Sequence, residues 1–184
     1  MLPSVSSPSK PALRQQLRTA RKALPLQARK RAQHDVTHKL VRFLTPRLRR
    51  HPHGRIASYD AMGSELDLGL LNRHFPTLYK PLLHRDGRLR FSTTATQRRV
   101  WARELQWIIV PLLGCDAAGH RLGQGGGWYD RTLASRTWRR VRTPYLIGVG
   151  FACQQVAHIP HEKHDVTLDK CVLNPLQSFP LNLT

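Results

Sequence analysis

The stretch WIIVPLLGCDAAGHRLGQGGGWYDRTL, Trp107 to Leu133, decides how the rest of the chain is read. Trp107 to Leu113 is an unbroken apolar run, the pattern of a strand covered on both faces. A glycine-rich segment follows, with Gly123, Gly125, Gly126 and Gly127 inside five residues. WYDRTLASRTWRR (128–140) then reads as a helix, and YLIGVGF (145–151) as a second buried strand. Strand, loop, helix and strand in that order make a β-α-β unit of a parallel sheet. The glycine loop therefore falls at the carboxyl end of a parallel strand, where open α/β sheets bind their ligands.

Working towards the N-terminus, Ser9 can cap a helix with Pro11 in its first turn. Leu13, Leu17, Ala20 and Leu24 recur at helical spacing, and Lys10, Arg14 and Arg18 form a neighbouring basic stripe. Pro25 breaks that run. A second helix carries Ala28, Ala32, Val36, Leu40 and Phe43, and Pro46 is expected to end it. RIASYD reads as a strand over 55–59. Leu66 to His74 is expected to be a short helix with Glu65 and Asp67 at its negative first turn. TLYKPLL and LRFST, joined by His84-Arg85-Asp86-Gly87, form a hairpin.

The glycine loop is not a Walker A loop, since no Gly-Lys-Ser/Thr ends it. It is not a dinucleotide fingerprint either, because Trp128 stands where the third glycine belongs. Two readings stay open at this level: a phosphate cradle and a structural turn. In the cradle, Gly125, Gly126 and Gly127 offer N–H groups, Arg121 and Arg131 add charge, and Asp130 can hold Mg²⁺ beside phosphate oxygens. The late segment HEKHDVTLDK supplies Asp165 and Asp169 as Mg²⁺ helpers or helix caps. Its His161 and His164 are three residues apart, not the four of a zinc-protease helix.

Thirty Lys and Arg stand against eleven Asp and Glu in 184 residues, a net charge of +19. Such a chain attracts polyanions without selectivity. No helix-turn-helix, zinc-finger or RNP-type signal accompanies the charge, so no specific nucleic-acid partner is expected. No run of 18 apolar residues is present, which argues against a membrane span. Cys115, Cys153 and Cys171 are odd in number and lack Cys-x-x-Cys spacing, which fits a reducing cytoplasmic setting. Residues 1–9 are expected to be a disordered lead-in and 10–184 one α/β domain.

Taken together, IIVPLLGCDAAGHRLGQGGGWYDRTL resembles the signature of the 5-formyltetrahydrofolate cyclo-ligase family: strand, Pro, Asp-x-x-Gly, Arg-Leu-Gly-x-Gly-x-Gly, aromatic-Tyr-Asp-Arg. KPALRQQLR, IASYDAMGSELD and HEKHDVTLDK are similar to weaker family motifs and stand in the same order. The resemblance covers about Lys10 to Cys171. It implies a single compact three-layer α/β fold of the NagB/RpiA/CoA transferase-like kind, with a mostly parallel central sheet and helices on both faces. It implies ATP- and Mg²⁺-dependent closure of 5-formyltetrahydrofolate to 5,10-methenyltetrahydrofolate through phosphorylation of the formyl oxygen, in a cytoplasmic monomer.

Residue by residue, the resemblance implies that Lys10, Arg14, Arg121, Leu122, Gly123, Gln124, Gly125, Gly126, Gly127, Trp128 and Tyr129 bind ATP. Glu65 and the loop residues Gln124, Gly125, Gly126, Gly127 and Trp128 meet the folate. Asp130 and Asp165 hold Mg²⁺, and Arg121, Tyr129 and Arg131 are catalytic. Three features depart from the family pattern. Trp128 replaces a Tyr or Phe, Asp60 brings an extra charge near the folate pocket, and the connection 96–106 is short. In the family that connection holds a longer loop leaning on the site. A nucleotide- or polyanion-binding relative without ligase activity is therefore the alternative reading.

Overall fold

The computed structural model describes residues 8–93, 98–139 and 144–175; most of the expected lead-in lies outside them. Helix α1 (Lys10–Lys22) starts as its sequence dictates: the Ser9 hydroxyl accepts from Ala12 N at 3.4 Å and Pro11 lies in the first turn. Helix α2 (Leu26–Arg50) follows, with Pro25 at its N-cap. Then come β1 (Ile56–Ala57), α3 (Gly69–His74), β2 (Lys80–Leu83), β3 (Leu89–Ser92), β4 (Arg99–Val100) and β5 (Trp107–Pro111). The chain continues through β6 (Gly114–Cys115), β7 (Arg121–Leu122), α4 (Trp128–Arg139), β8 (Tyr145–Gly150) and β9 (Lys170–Leu173).

Strands β1-β5-β8-β9 form the central sheet, parallel throughout. The apolar run at 107 is its interior, and β5 and β8 are neighbours in register, Ile108 opposite Leu146 and Ile109 opposite Ile147. The β-α-β unit is thus present. Side chains alternate across the sheet as the strand period requires. Trp107, Ile109, Ile147 and Val149 pack on one side with Val36, Leu40 and Leu44 of α2 and Leu71 of α3. Ile108, Val110 and Leu146 pack on the other with Leu133 of α4 and with Leu89, Phe91 and Val100. That second face is covered by α4 together with the antiparallel sheet β2-β3-β4, so the fold is α/β with a parallel sheet between two covering layers. A smaller cluster, Leu13, Leu17, Leu113, Leu122 and Ile159, fastens α1 to the β6–β7 ribbon.

Two local expectations need correction, and a third element gains detail. Helix α2 does not stop at Pro46 but runs on to Arg50. Pro46 is exposed, while Leu44 is buried and Leu48 packs against the core, so apolar contact on both sides carries the helix through one lost backbone bond. Helix α3 begins at Gly69, not Leu66, because the Asp67 carboxylate takes the Gly69 N–H at 2.9 Å. Glu65 therefore sits in a loop, outside any helix. The short connection 96–106 is not a bare linker where it is described: β4 joins the hairpin sheet, and Val100, Ala102 and Leu105 are buried.

No helix among the described residues is long and apolar enough to cross a membrane. Cys115, Cys153 and Cys171 are free thiols.

Candidate functional site

Two devices aim the glycine loop. The β6–β7 ribbon turns the chain back after β5, with Leu113 N donating to Leu122 O at 2.8 Å. Gly125 and Gly127 then take φ of 109° and 63°, values in the left-handed region that a side chain would strain. Their turns deliver Trp128 to the start of α4. Thr132 fixes that start against the hairpin: its hydroxyl donates to Trp128 O at 2.6 Å and accepts from Leu89 N at 2.7 Å.

The loop opens onto a cavity of about 890 Å³. Its walls include every residue to which the family resemblance gives a role: Lys10, Arg14, Glu65, Arg121, Leu122, Gly123, Gln124, Gly125, Gly126, Gly127, Trp128, Tyr129, Asp130, Arg131 and Asp165. They come from α1, the loop before α3, the glycine loop, α4 and the segment before β9. Sequence reasoning missed other walls: Tyr59 and Met62, the hairpin residues Pro81, Leu83 and Leu89, and Glu162 with His164. Glu162 stands in the same acidic segment as Asp165 and carried an equal signal. The hairpin residues carried none, since their apolar character also suits a core.

One side of the cavity is ionic. Arg121, only 6% exposed at its side chain, donates to Asp130 Oδ1 at 2.8 Å, and its guanidinium lies 5.4 Å from the Tyr129 ring centroid. Val166 N approaches the same Asp130 oxygen at 3.3 Å. Lys10 Nζ lies 2.7 Å from Asp165 Oδ2 and 3.0 Å from Glu162 Oε1. Burial pulls the Lys10 ammonium down, but the hydrogen bonds to Asp165 and Glu162 hold it above its ordinary value. Burial likewise pushes the Asp165 carboxyl up, and Lys10 and Glu162 N outweigh it, leaving the carboxyl low. Arg14 Nε donates to Gly123 O at 3.1 Å. Leu122 is buried in the α1 cluster, so only its backbone faces a ligand. Among the described residues, the N–H groups of Gly125, Gly126 and Gly127 donate to no protein acceptor.

Apolar side chains line the cavity as well. Met62, Pro81, Leu83, Leu89 and the 43%-exposed Trp128 share its wall with Glu65, which is 9% exposed. Glu65 Oε2 accepts from Met62 N at 3.0 Å and Oε1 from Gln124 Nε2 at 3.3 Å. Tyr129 stays protonated: burial pushes its phenol up, Glu65 adds to this, and Arg121 opposes it. It can donate a proton in a hydrogen bond but is a poor base. Arg131 Nε donates to Gly87 O of the hairpin turn at 3.2 Å. Asp60 is met by Lys80 at 2.9 Å, which cancels the extra charge noted in the sequence.

Asp130 and Asp165 each keep one carboxylate oxygen outside any hydrogen bond, Asp130 Oδ2 and Asp165 Oδ1. No group of three or more metal-ligating side chains occurs among the described residues. Mg²⁺ needs only one or two carboxylates when phosphates and water complete its shell, so the donor set fits. Asp169 is not part of this set. Its Oδ2 accepts from Leu146 N at 2.7 Å, and it lines a separate cavity with Cys115 and Cys171. His161 stacks on His120 with centroids 3.6 Å apart, and His120 in turn meets the buried Asp116 at 2.8 Å.

The model of the 5-formyltetrahydrofolate cyclo-ligase family matches residues 83–174. A 5-formyltetrahydrofolate cyclo-ligase of Haemophilus influenzae is 43% identical over 65 residues, 35% of this chain and 33% of that protein. Those of Escherichia coli K12 and Mus musculus are 41% and 36% identical over 68 and 66 residues, 37% and 36% of this chain and 36% and 32% of theirs. The matched region thus spans about a third of the length of these relatives. The solved 5,10-methenyltetrahydrofolate synthetase of Mycoplasma pneumoniae superposes with a TM-score of 0.76 at 24% identity, over 90% of this chain and 98% of that one. The Aquifex aeolicus synthetase gives 0.67 at 24% identity over 89% of each. At that identity the two structures speak for the fold.

Proposed function

The chain belongs to the 5-formyltetrahydrofolate cyclo-ligase family, and from that membership we propose that it closes 5-formyltetrahydrofolate to 5,10-methenyltetrahydrofolate while ATP becomes ADP and phosphate. One observation supports this reading above others: six segments distant in sequence bring a cationic phosphate cradle and a lone buried acid to the same cavity. A formamide oxygen is a poor leaving group, so the reaction must first convert it into a good one. The formyl oxygen attacks the γ-phosphorus, and ADP leaves with the electrons of the broken P–O bond. The neighbouring folate amine then adds to the activated carbon. Phosphate departs with the C–O pair, and the amine proton passes to solvent.

In this scheme Lys10, Arg14 and the free N–H groups of Gly125, Gly126 and Gly127 bind the triphosphate. Positioning and charge neutralisation do most of the work in phosphoryl transfer. Arg121, buried and oriented by Asp130, faces the transferred group, and Tyr129 donates a hydrogen bond beside it. Arg131, tethered to the hairpin turn, adds charge from the folate side. Glu65 accepts from N–H donors of the pterin ring, and Trp128 with the hairpin leucines covers its faces. Asp130 and Asp165 would hold Mg²⁺, which when bound neutralises phosphate charge. We place the reaction in the cytoplasm, in keeping with three free thiols, and in a monomer.

The test is direct. Purified protein with ATP, Mg²⁺ and 5-formyltetrahydrofolate is expected to generate the near-ultraviolet absorbance of the methenyl product. ATP binding without any methenyl product at saturating folate would refute ligase activity and leave a nucleotide-binding relative.

A further inference from the structure

Arg18 lies one turn beyond Lys10 and Arg14 on the basic stripe of α1, yet unlike them it does not line the cavity. Its donors are spent on one loop residue. Arg18 Nη2 donates to Gln124 O at 3.0 Å and to Gln124 Oε1 at 3.2 Å, and Nε reaches the same Oε1 at 3.3 Å. A glutamine amide has one accepting end and one donating end. With its oxygen held by the guanidinium, the donating end faces away, and there it meets Glu65 Oε1 at 3.3 Å. The reverse orientation would set amide N–H against guanidinium N–H, and amide oxygen against carboxylate. The network therefore admits one orientation only. Among the described residues Glu65 forms no ion pair, so Gln124 is its side-chain partner, and Met62 N holds its second oxygen.

We propose that Arg18 is a positioning residue: by fixing the Gln124 amide it aims the Glu65 carboxylate, and so ties the folate end of the site to the nucleotide loop. The proposal rests on the cyclo-ligase reading of the two ends. Gln124 belongs to the same loop as the phosphate-facing glycines, so a shift of that loop on nucleotide binding is transmitted to Glu65 through one amide. Lys10 and Arg14 act on the nucleotide from the first two turns of α1, and Arg18 acts on the folate acid from the third. One helix thereby sets both ends.

The test uses Arg18→Gln, Gln124→Met and the double variant, with KM and kcat for each substrate. Each single change is expected to raise the KM for 5-formyltetrahydrofolate about five- to tenfold, the scale of one ordinary net hydrogen bond. For Arg18→Gln, which lies outside the cavity wall, the kcat and the KM for ATP stay near those of the parent; Gln124→Met, at a loop residue of the site itself, is read only through its folate KM and through the double variant. The double variant is expected to be no worse than Gln124→Met alone, since both act on one contact. Arg18→Lys keeps the charge but not the forked hold, and rescues only part of the loss. An additive double variant, or an effect of Arg18→Gln confined to the KM for ATP, overturns the relay. If Arg18→Gln fails to fold, Arg18→Lys carries the test: a folate KM equal to the parent's in that variant overturns the relay.

Calorimetric folate binding in the presence of a non-hydrolysable ATP analogue separates the two readings. Parent protein that binds folate without forming product refutes the reaction and leaves the relay to be judged by affinity. Parent protein that turns over normally, with folate affinity unmoved by Arg18→Gln and Gln124→Met, refutes the relay alone. Parent protein that binds no folate refutes both.

Discussion

Replacing Asp130 separates structure from catalysis at the centre of the site. Its Oδ1 holds the guanidinium of Arg121, which is almost fully buried, and also meets Val166 N. Asp130→Ala leaves that cation without its acceptor, and a lost hydrogen bond to a charged group costs about 1.5–3 kcal/mol. For a chain of this length each kcal/mol moves Tm by about 2–4 °C, so a fall of roughly 3–12 °C is expected. Asp130→Asn keeps an oxygen where Oδ1 stands and loses only charge. Its cost is about 1 kcal/mol, or a Tm shift of roughly 2–4 °C.

Turnover responds differently. Both variants lose the free Oδ2 charge that would hold Mg²⁺ and the charge that orients Arg121. Both are expected to fall by about two to three orders of magnitude in kcat, the scale seen when one preorganised electrostatic group is removed. The assay pairs thermal melting of the ligand-free protein with methenyl absorbance across a Mg²⁺ titration. Asp130→Asn with parental turnover at every Mg²⁺ concentration would refute the metal role. Equal Tm losses for Asn and Ala would refute the view that the carboxamide still serves Arg121.

Other perturbations follow from the same geometry. Arg14→Ala removes the proposed phosphate ligand and frees Gly123 O; the KM for ATP is expected to rise about tenfold or more with folate binding nearly intact, and equal loss of both ligands would point to a defect of α1 instead. Asp116→Asn is expected to cost about 2 kcal/mol, because the buried carboxylate accepts from Ala118 N, His120 N and Ile159 N as well as the His120 ring. Burial raises the Asp116 carboxyl, but those partners hold it below its usual range; the stability gap to the variant is therefore full above about pH 4, and it closes as pH falls through the folded value, whereas a gap constant into acid would refute it. The described part of the connection 96–106 is packed into the hairpin sheet rather than leaning on the cavity, so a raised folate KM and more than one phosphate released per methenyl product are expected; a tight KM with one-to-one coupling would show that another segment closes the site.

How much could be read in the sequence follows from where each signal resides. The Trp107–Leu113 run and the Tyr145 strand announce themselves because burial on both faces leaves an uninterrupted apolar string. The hairpin was legible from its turn residues, with Gly87 at φ 75°. Pro46 misled because a local helix breaker was outweighed by packing that begins before it and resumes after it. Glu65 was singled out and does line the cavity, but it was placed on the wrong element, since the side chain of Asp67 rather than any periodicity decides where α3 begins. Arg121 and Asp130 were both named, yet their ion pair was not, because a ribbon and a loop fold back between them. Asp165 and Asp169 looked alike on paper. Only the parallel ladder shows that Asp169 is occupied with the backbone of β8, while Asp165 faces Lys10.

The pairing within the cavity bears on how it receives a charged ligand. Two cations that line the cavity, Lys10 and Arg121, are each held by a carboxylate, Asp165 and Asp130. These are the same carboxylates that would serve Mg²⁺. Without ligand, each charge is neutralised by its neighbour, so the buried Arg121 carries no desolvated, unpaired charge, which would be costly. A triphosphate arriving with its cation offers both partners a replacement at once: anionic oxygens for Lys10 and Arg121, and positive charge for Asp130 and Asp165. Neither half-exchange is favourable alone. Phosphate without the cation would stand beside Asp130, Asp165 and Glu162, and the cation without phosphate would stand beside Lys10 and Arg121. On the proposed reading, the arrangement is expected to favour the metal–nucleotide complex over either component. It does so through charges already present in the resting fold rather than through a dedicated metal cage.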